Sequence, residues 1–307
     1  MQYQFYTADV FTGRIFGGNP LAVFPEAQSL EKEQMQLVAR EFNLSETVFV
    51  LPPEDARHTR RLRIFTPAAE LPFAGHPTVG AAFVLATIGE IDLAGEVTQI
   101  VFEEGVGPVE VAIRTENGEP VFTQLSVAKL PDYGPPLPPI AEIARALSLE
   151  SSDLMDGAFA PQAVSCGVPF LLVPVRSLDT IRRIRLNSEQ WGRVLASYWA
   201  PQLYVFTRET ESEDNDLHAR MFAPTMGISE DPATGAAVSA LGGYLGTRDV
   251  TRDGTVRWII EQGIEMGRPS ILELEVDKVE GEITAVRVGG ASVLVSEGQM
   301  EIPDLAR

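Results

Sequence analysis

The chain has 307 residues, with 24 Lys+Arg against 43 Asp+Glu, giving a formal net charge of −19. Hydrophobic residues make up 45% of it and charged residues 22%, enough for a packed core, so disorder as the main state is excluded. A chain this acidic repels nucleic acid and anionic lipid, and neither is an expected partner. The length fits two domains of roughly 100–200 residues each. Cys166 is the only cysteine, which excludes an intrachain disulfide, a cysteine-based metal site and two-thiol chemistry. His58, His76 and His218 are scattered without metal-ligand spacing. The start, Met-Gln-Tyr-Gln-Phe-Tyr, lacks a basic segment and an apolar run, and no stretch has the length of a membrane span. A cytoplasmic protein is expected.

In chain order, apolar runs and alternation predict strands at 3–9, 20–24, 46–51, 61–66, 97–103 and 107–113. A helix is predicted at 30–42, where Leu30, Val38 and Phe42 share a face, and another from Pro77 to about Ile88. Pro131, Pro135, Pro136, Pro138 and Pro139 then predict a stiff linker, with a boundary near residues 127–139. From Ile140 to Leu149 apolar residues fall at helical spacing. Strands follow near 169–175, 203–207, 217–222, 255–261, 270–277, 283–288 and 292–296, with helices near 188–198 and 232–246. The segments 79–85 and 236–241 are apolar nearly all round, as a helix buried on every side must be. An α+β fold in which a curved sheet wraps one central helix satisfies this pattern.

The two halves resemble each other. Val48-Phe49 matches Val205-Phe206, and at the same offset Arg63, Phe65 and Pro67 meet Arg220, Phe222 and Pro224. His76-Pro-Thr-Val-Gly-Ala-Ala82 matches Asp231-Pro-Ala-Thr-Gly-Ala-Ala237. Gly18-Asn-Pro20 resembles Gly167-Val-Pro169, and Glu103-Glu-Gly105 resembles Glu261-Gln-Gly263. Their shared order indicates two copies of one design.

The His-Pro and Asp-Pro turns each open a helix. Proline suits the first helical position, which predicts Asp231 as an N-cap with His76 in the equivalent place. A helix N-terminus offers free N–H groups and a positive dipole end, a place for a carboxylate. Two related halves are expected to bury a cleft, with these turns facing across it. Glu46 breaks the symmetry, since its counterpart at the repeat offset is Leu203. A carboxylate near apolar groups can serve as a proton carrier, and one carboxylate fits a single base moving a proton on one face.

These residues resemble the PhzF-like phenazine-biosynthesis family, within the diaminopimelate-epimerase fold. The matching stretches are Asp9-Val-Phe-Thr-Gly-x-x-Phe-Gly-Gly-Asn-Pro-Leu-Ala-Val23, Asn43-Leu-Ser-Glu-Thr47, Phe65-Thr-Pro-x-x-Glu-Leu-Pro-Phe-Ala-Gly-His-Pro-Thr-Val-Gly80, Glu230-Asp-Pro-Ala-Thr-Gly235 and Gln262-Gly-x-x-Met-Gly-Arg-Pro-Ser270. The resemblance implies two similar halves, 1–128 with about 294–307 and 129–293, each a sheet curled round a helix. The final strand would cross back to the first half. It implies no cofactor, a small-molecule carboxylate substrate and a homodimer. Family members of known activity isomerise trans-2,3-dihydro-3-hydroxyanthranilate. The residue matching Glu46 carries the proton, and those matching His76 and Asp231 bind and polarise the substrate. Asn19, Ser45, Gly75, Thr234, Gly235 and Ala236 fall on the substrate-binding positions. The family commonly has serine where Ala236 stands. The alternatives are an epimerase or racemase of an amino-acid-like substrate, and a non-catalytic small-molecule binding protein.

Overall fold

The computed structural model describes residues 1–304. The chain divides into two compact units, Met1–Ala128 with the segment from Gly289 onward, and Lys129–Val288. Residues 305–307, included in the expectation for the first half, lie outside the described residues.

The first unit opens with β1 (Gln2–Val10), β2 (Asn19–Phe24), α1 (Lys32–Phe42), β3 (Glu46–Leu51), β4 (Arg60–Phe65) and the short β5 (Glu70–Leu71). Then come α2 (Gly75–Thr87), β6 (Val97–Glu104), β7 (Gly107–Glu116) and β8 (Glu119–Ser126). Strand β1 runs antiparallel to β2, β2 parallel to β3, and β3 antiparallel to β4. Strand β4 runs antiparallel to β5 and parallel to β6, and β6 and β7 form a hairpin. Sequence patterning does not predict β8. Pro120 breaks its alternation, but Asn117 and Gly118 both hold positive φ, the Asn-Gly turn that closes a hairpin onto β7.

The second unit holds β9 (Asp132–Tyr133), α3 (Ile140–Ala146), β10 (Gln162–Ser165), β11 (Pro169–Pro174), α4 (Leu178–Arg182), α5 (Ser188–Val194), β12 (Gln202–Thr207), β13 (Leu217–Ala223), β14 (Ile228–Asp231), α6 (Gly235–Gly246), β15 (Gly254–Gln262), β16 (Ser270–Val279) and β17 (Glu282–Gly290). The last strand, β18 (Ser292–Glu301), pairs antiparallel with β1. The expected proline linker is built into this unit. Tyr133 and Asp132 pair with Val164 and Ser165, and Pro139 is the N-cap of α3. Strands β5, β10 and β14 and helix α4 are too short for a periodic signal.

The pairing order repeats. In the second unit β10–β11 is antiparallel, β11–β12 parallel, β12–β13 antiparallel, β13–β14 antiparallel, β13–β15 parallel and β15–β16 antiparallel. Side chains repeat with it. Arg63 grips Glu70 through Nε at 2.7 Å and a second nitrogen at 3.0 Å, and Arg220 grips Glu230 at 2.8 Å twice. Glu103 accepts the backbone N–H groups of Glu54 and Asp55, and Glu261 accepts those of Glu211 and Ser212.

Each unit has a central helix buried on all sides. Every residue of α2 from Gly75 to Ala86 is buried, and so is all of α6 except Ala236. The fit is close: a Cβ on Gly80 would lie 2.5 Å from a Leu21 methyl and 2.6 Å from a Val10 methyl. The opposite sheet face in the first unit packs on α1, in a cluster of Phe24, Met35, Val38, Phe49 and Phe65. In the second unit it packs on α3 and α5, through Leu171, Leu203, Val205, Trp191 and Phe222. Among the described residues no helix is long and apolar enough to cross a membrane.

Candidate active site

Glu46 is placed by a helix stop. Helix α1 ends at Asn43, whose φ of 50° is left-handed, a conformation asparagine tolerates well. Ser45, half-buried, follows, and Glu46 is the first residue of β3, paired with Leu21 of β2. Side chains alternate along a strand, so with Phe49 facing α1, Glu46, Val48 and Val50 face α2. There Glu46 Oε2 lies 3.3 Å from His76 Nε2, both side chains being more than nine-tenths buried. His76 also bonds the carbonyl of Pro20, which follows the fully buried Asn19. As Nε2 faces Glu46, Nδ1–H is the donor to Pro20. Burial pushes the imidazole pKa down to about 3, against the opposing effect of the Pro20 bond. His76 is therefore neutral, with its unprotonated Nε2 beside the Glu46 carboxyl.

The cap assignments need correction. Helix α2 begins at Gly75 with Ala74 as N-cap, so His76 lies inside the first turn rather than at the cap. Helix α6 begins at Gly235 with Thr234 as N-cap, three residues after Asp231. The reason is β14, which holds Asp231 in the sheet opposite Met221. Buried Asp231 accepts the Thr234 hydroxyl at 2.5 Å, and its backbone carbonyl accepts Gln262 Nε2 at 2.8 Å. Gln262 also reaches Thr234 Oγ1, and its Oε1 accepts Tyr204 O–H. Gly235 opens α6, and Ala236, half-buried, is its second residue.

The counterpart of Glu46 is corrected too. Phe65 pairs with Thr47, while Phe222 pairs with Leu203, so one residue earlier Glu46 corresponds to Gln202. Leu203 lies in the outer cluster and Gln202 begins β12, as Glu46 begins β3. A fixed offset hides this one-residue register change. The residues that sequence reasoning did not assign to the site are Gln202, Tyr204, Gln262 and the Pro20 carbonyl. The Glu-Glu-Gly and Glu-Gln-Gly match was the available signal for Gln262.

The remaining titratable candidates have structural duties. His58 Nδ1 pairs with Glu103 at 2.9 Å. His218 is fully buried between Glu261 and Glu265; burial alone would lower its pKa, but the two carboxylates outweigh it and raise it to about 9. Cys166 donates its thiol to the Ser239 carbonyl, and burial pushes its pKa up to about 12, far from a reactive thiolate. A groove of about 980 Å³ in the first unit, lined by His58, Arg61, Arg63, Glu70, Glu104 and neighbours, includes neither Glu46 nor His76.

The model of the family described as "Phenazine biosynthesis-like protein" matches residues 8–298. The chain belongs to this family. An uncharacterized isomerase of Mesorhizobium japonicum is 42% identical, over 96% of this chain and 97% of its own. The trans-2,3-dihydro-3-hydroxyanthranilate isomerase of Pseudomonas aeruginosa is 31% identical, over 97% of this chain and 99% of its own. Among solved structures, a PhzF-family phenazine biosynthesis protein of Bacillus anthracis matches with a TM-score of 0.88 at 28% identity, covering 98% of this chain and 100% of that one. A hydroxyproline epimerase of Agrobacterium vitis, at 14% identity and a TM-score of 0.63 over 99% of this chain and 93% of that one, shares the epimerase-like α+β fold. The expected diaminopimelate-epimerase-like α+β fold is borne out.

Proposed function

We propose that this chain is an isomerase that moves a proton within a small cyclic carboxylic acid, with Glu46 as the proton carrier. The observation that supports it most is the buried Glu46–His76 pair, 3.3 Å apart, at the start of a buried helix. In this reading Glu46, as carboxylate, takes a proton from a ring carbon. The electron pair of the broken C–H bond moves into the conjugated system, and the Glu46 acid returns the proton to another carbon. His76, neutral and bonded to Pro20, supplies no proton to quench the base, and its Nε2 accepts a hydrogen bond from the Glu46 acid once formed. Ser45 and the first-turn N–H of Gly75 are proposed to hold the substrate carboxylate, helped by the positive end of α2. Asp231, set by Thr234 and Gln262, is proposed to bind and polarise the substrate, with Asn19, Thr234, Gly235 and the backbone of Ala236 as further contacts. The chemistry asks for no cofactor, because the carboxyl group itself carries the proton.

The named activity of the Pseudomonas aeruginosa relative supports a conjugated cyclic amino acid as the substrate class. A homodimer in the cytoplasm remains part of the proposal. An epimerase would need a second proton carrier, for which His76 or Asp231 could serve, since Gln202, at the position equivalent to Glu46, has no acidic proton to exchange; inversion at a chiral carbon, followed by polarimetry, would favour that reading. Glu46→Gln should lower turnover by a factor on the order of 10²–10⁴ while the fold is kept. In heavy water the wild type should wash deuterium into substrate or product and the variant should not. Full turnover by Glu46→Gln would refute the assignment.

A further inference from the structure

Glu104 ends β6 and is more than nine-tenths buried, yet the chemistry above does not use it. Its Oε1 lies 2.6 Å from Thr78 Oγ1, and the same hydroxyl lies 2.8 Å from the Ala74 carbonyl. A threonine hydroxyl has one proton, and a carbonyl can only accept. The single Thr78 proton is directed at two acceptors, Glu104 Oε1 and the Ala74 carbonyl; a neutral Glu104 acid supplies the second proton, donating to Thr78 Oγ1 and leaving the hydroxyl to Ala74. Burial acts in the same direction, raising the Glu104 pKa to about 8 against the opposing effect of the Thr78 bond. The surrounding charges are paired among themselves: His58 with Glu103, Arg61 with Glu54, and Arg63 and Lys32 with Glu70. On α2, His76 sits beside Glu46.

The second unit places a permanent donor at the corresponding strand end, beside a threonine that bonds the Asp231 carboxylate. Gln262 occupies the matching place in Glu-Gln-Gly, and its amide donates to Thr234 Oγ1 at 3.1 Å, again at the start of the central helix. A carboxamide is a donor at every pH, whereas a carboxyl group is one only while protonated. The contact is tight, since a Cβ on Gly105 would lie 2.8 Å from Pro72 Cα and 2.9 Å from its carbonyl oxygen. The β6–β7 turn thus lies against the segment that leads into Ala74, Gly75 and His76.

We propose that Glu104 is a positioning residue which, as the neutral acid, clamps the first turn of α2 and so sets His76 against Glu46. This rests on the reading of Glu46 and His76 as the proton-transfer pair. Ionised Glu104 takes the Thr78 proton for itself, and the Ala74 carbonyl keeps only the longer bond from the Thr78 backbone N–H, at 3.3 Å.

Two variants and two readouts test it. Glu104→Gln keeps a neutral donor, as the second unit does, and should keep kcat/KM near neutral pH within about 3-fold while losing the alkaline fall expected of wild type above pH 8. Glu104→Leu should lower kcat at least 10-fold below pH 8 and converge with wild type at higher pH, with unchanged circular dichroism. The second readout needs no substrate: ring ¹⁵N resonances of His76, assigned with a His76→Gln variant, followed from pH 6 to 10. They should move through a step near pH 8 in wild type and stay flat in Glu104→Gln. A His76 resonance with the same profile in both proteins overturns the positioning role, whatever the catalytic assays show. Absence of turnover on every acid tried, with the His76 step present in wild type and gone in Glu104→Gln, supports the clamp and counts against the isomerase reading alone.

Discussion

At the scale of single residues, burial decides protonation more than charge does. His76 and Glu104 both lose water, and each is pushed toward its neutral form, the imidazole down to about 3 and the carboxyl up to about 8. His218 is as deeply buried but has two carboxylates on its ring, so it keeps its charge. These shifts bear on stability. Between the usual glutamate value of 4.5 and about 8, the folded state holds a proton on Glu104 that the unfolded state has lost. Stability therefore falls with rising pH through that window, by about 1.4 kcal/mol per unit at most. His218 acts in the same direction between 6.5 and about 9, since its stabilising charge is full below 6.5 and is lost as pH rises through 9. Thermal midpoints of wild type should drop from pH 6 to 9, and those of Glu104→Gln should drop less. An identical slope for the two proteins would show that Glu104 ionises freely. The residue types were legible in the sequence, with Glu46, His76 and Asp231 visible by their turns. Protonation was not legible, because it depends on what surrounds each group.

At the scale of elements, the repeat is a repeat of hydrogen-bonded devices. The Arg-Glu fork joins β4 to β5 and β13 to β14, and each arginine also lies over the phenylalanine two residues later, at 5.3 Å for Arg63 and 5.1 Å for Arg220. The copies differ in depth. Arg220 is 5% exposed and also donates to the carbonyls of Ile181 and Ile184, whereas the Arg63 side chain is 18% exposed. Arg220→Met leaves Glu230 without its buried partner and takes one of the donors from each of the Ile181 and Ile184 carbonyls, at a cost of about 3–5 kcal/mol. Arg63→Met should cost only about 1 kcal/mol. Urea unfolding distinguishes them, and equal midpoints would mean that the depth of the fork is immaterial. Glu230 precedes Asp231, so the deeper fork also fixes a proposed substrate-binding residue. The long strands and central helices were readable from periodicity, since their burial pattern is their sequence pattern. The short strands β5, β9, β10 and β14 were not, because two to four residues carry no period and exist only where a neighbour supplies the ladder.

At the scale of the whole molecule, a charge of −19 opposes the approach of an anionic substrate. Added salt screens that repulsion beyond a Debye length of about 8–10 Å. For a carboxylate substrate, kcat/KM should rise as ionic strength increases from roughly 10 to 150 mM, across which the Debye length shrinks from about 30 to 8 Å. A fall would point to an attractive local field stronger than the net charge. The amino-acid sequence by itself determined the family, the two-copy design and the helices buried on all sides, because those follow from composition, order and period. The tertiary structure alone decided that Gln202, not Leu203, answers to Glu46, that His76 sits within a helical turn beside a carboxyl group, and that Glu104 lies buried against the Thr78 hydroxyl. Ladder register and desolvation arise only when strands pair and water is expelled, and no single segment of the chain carries either.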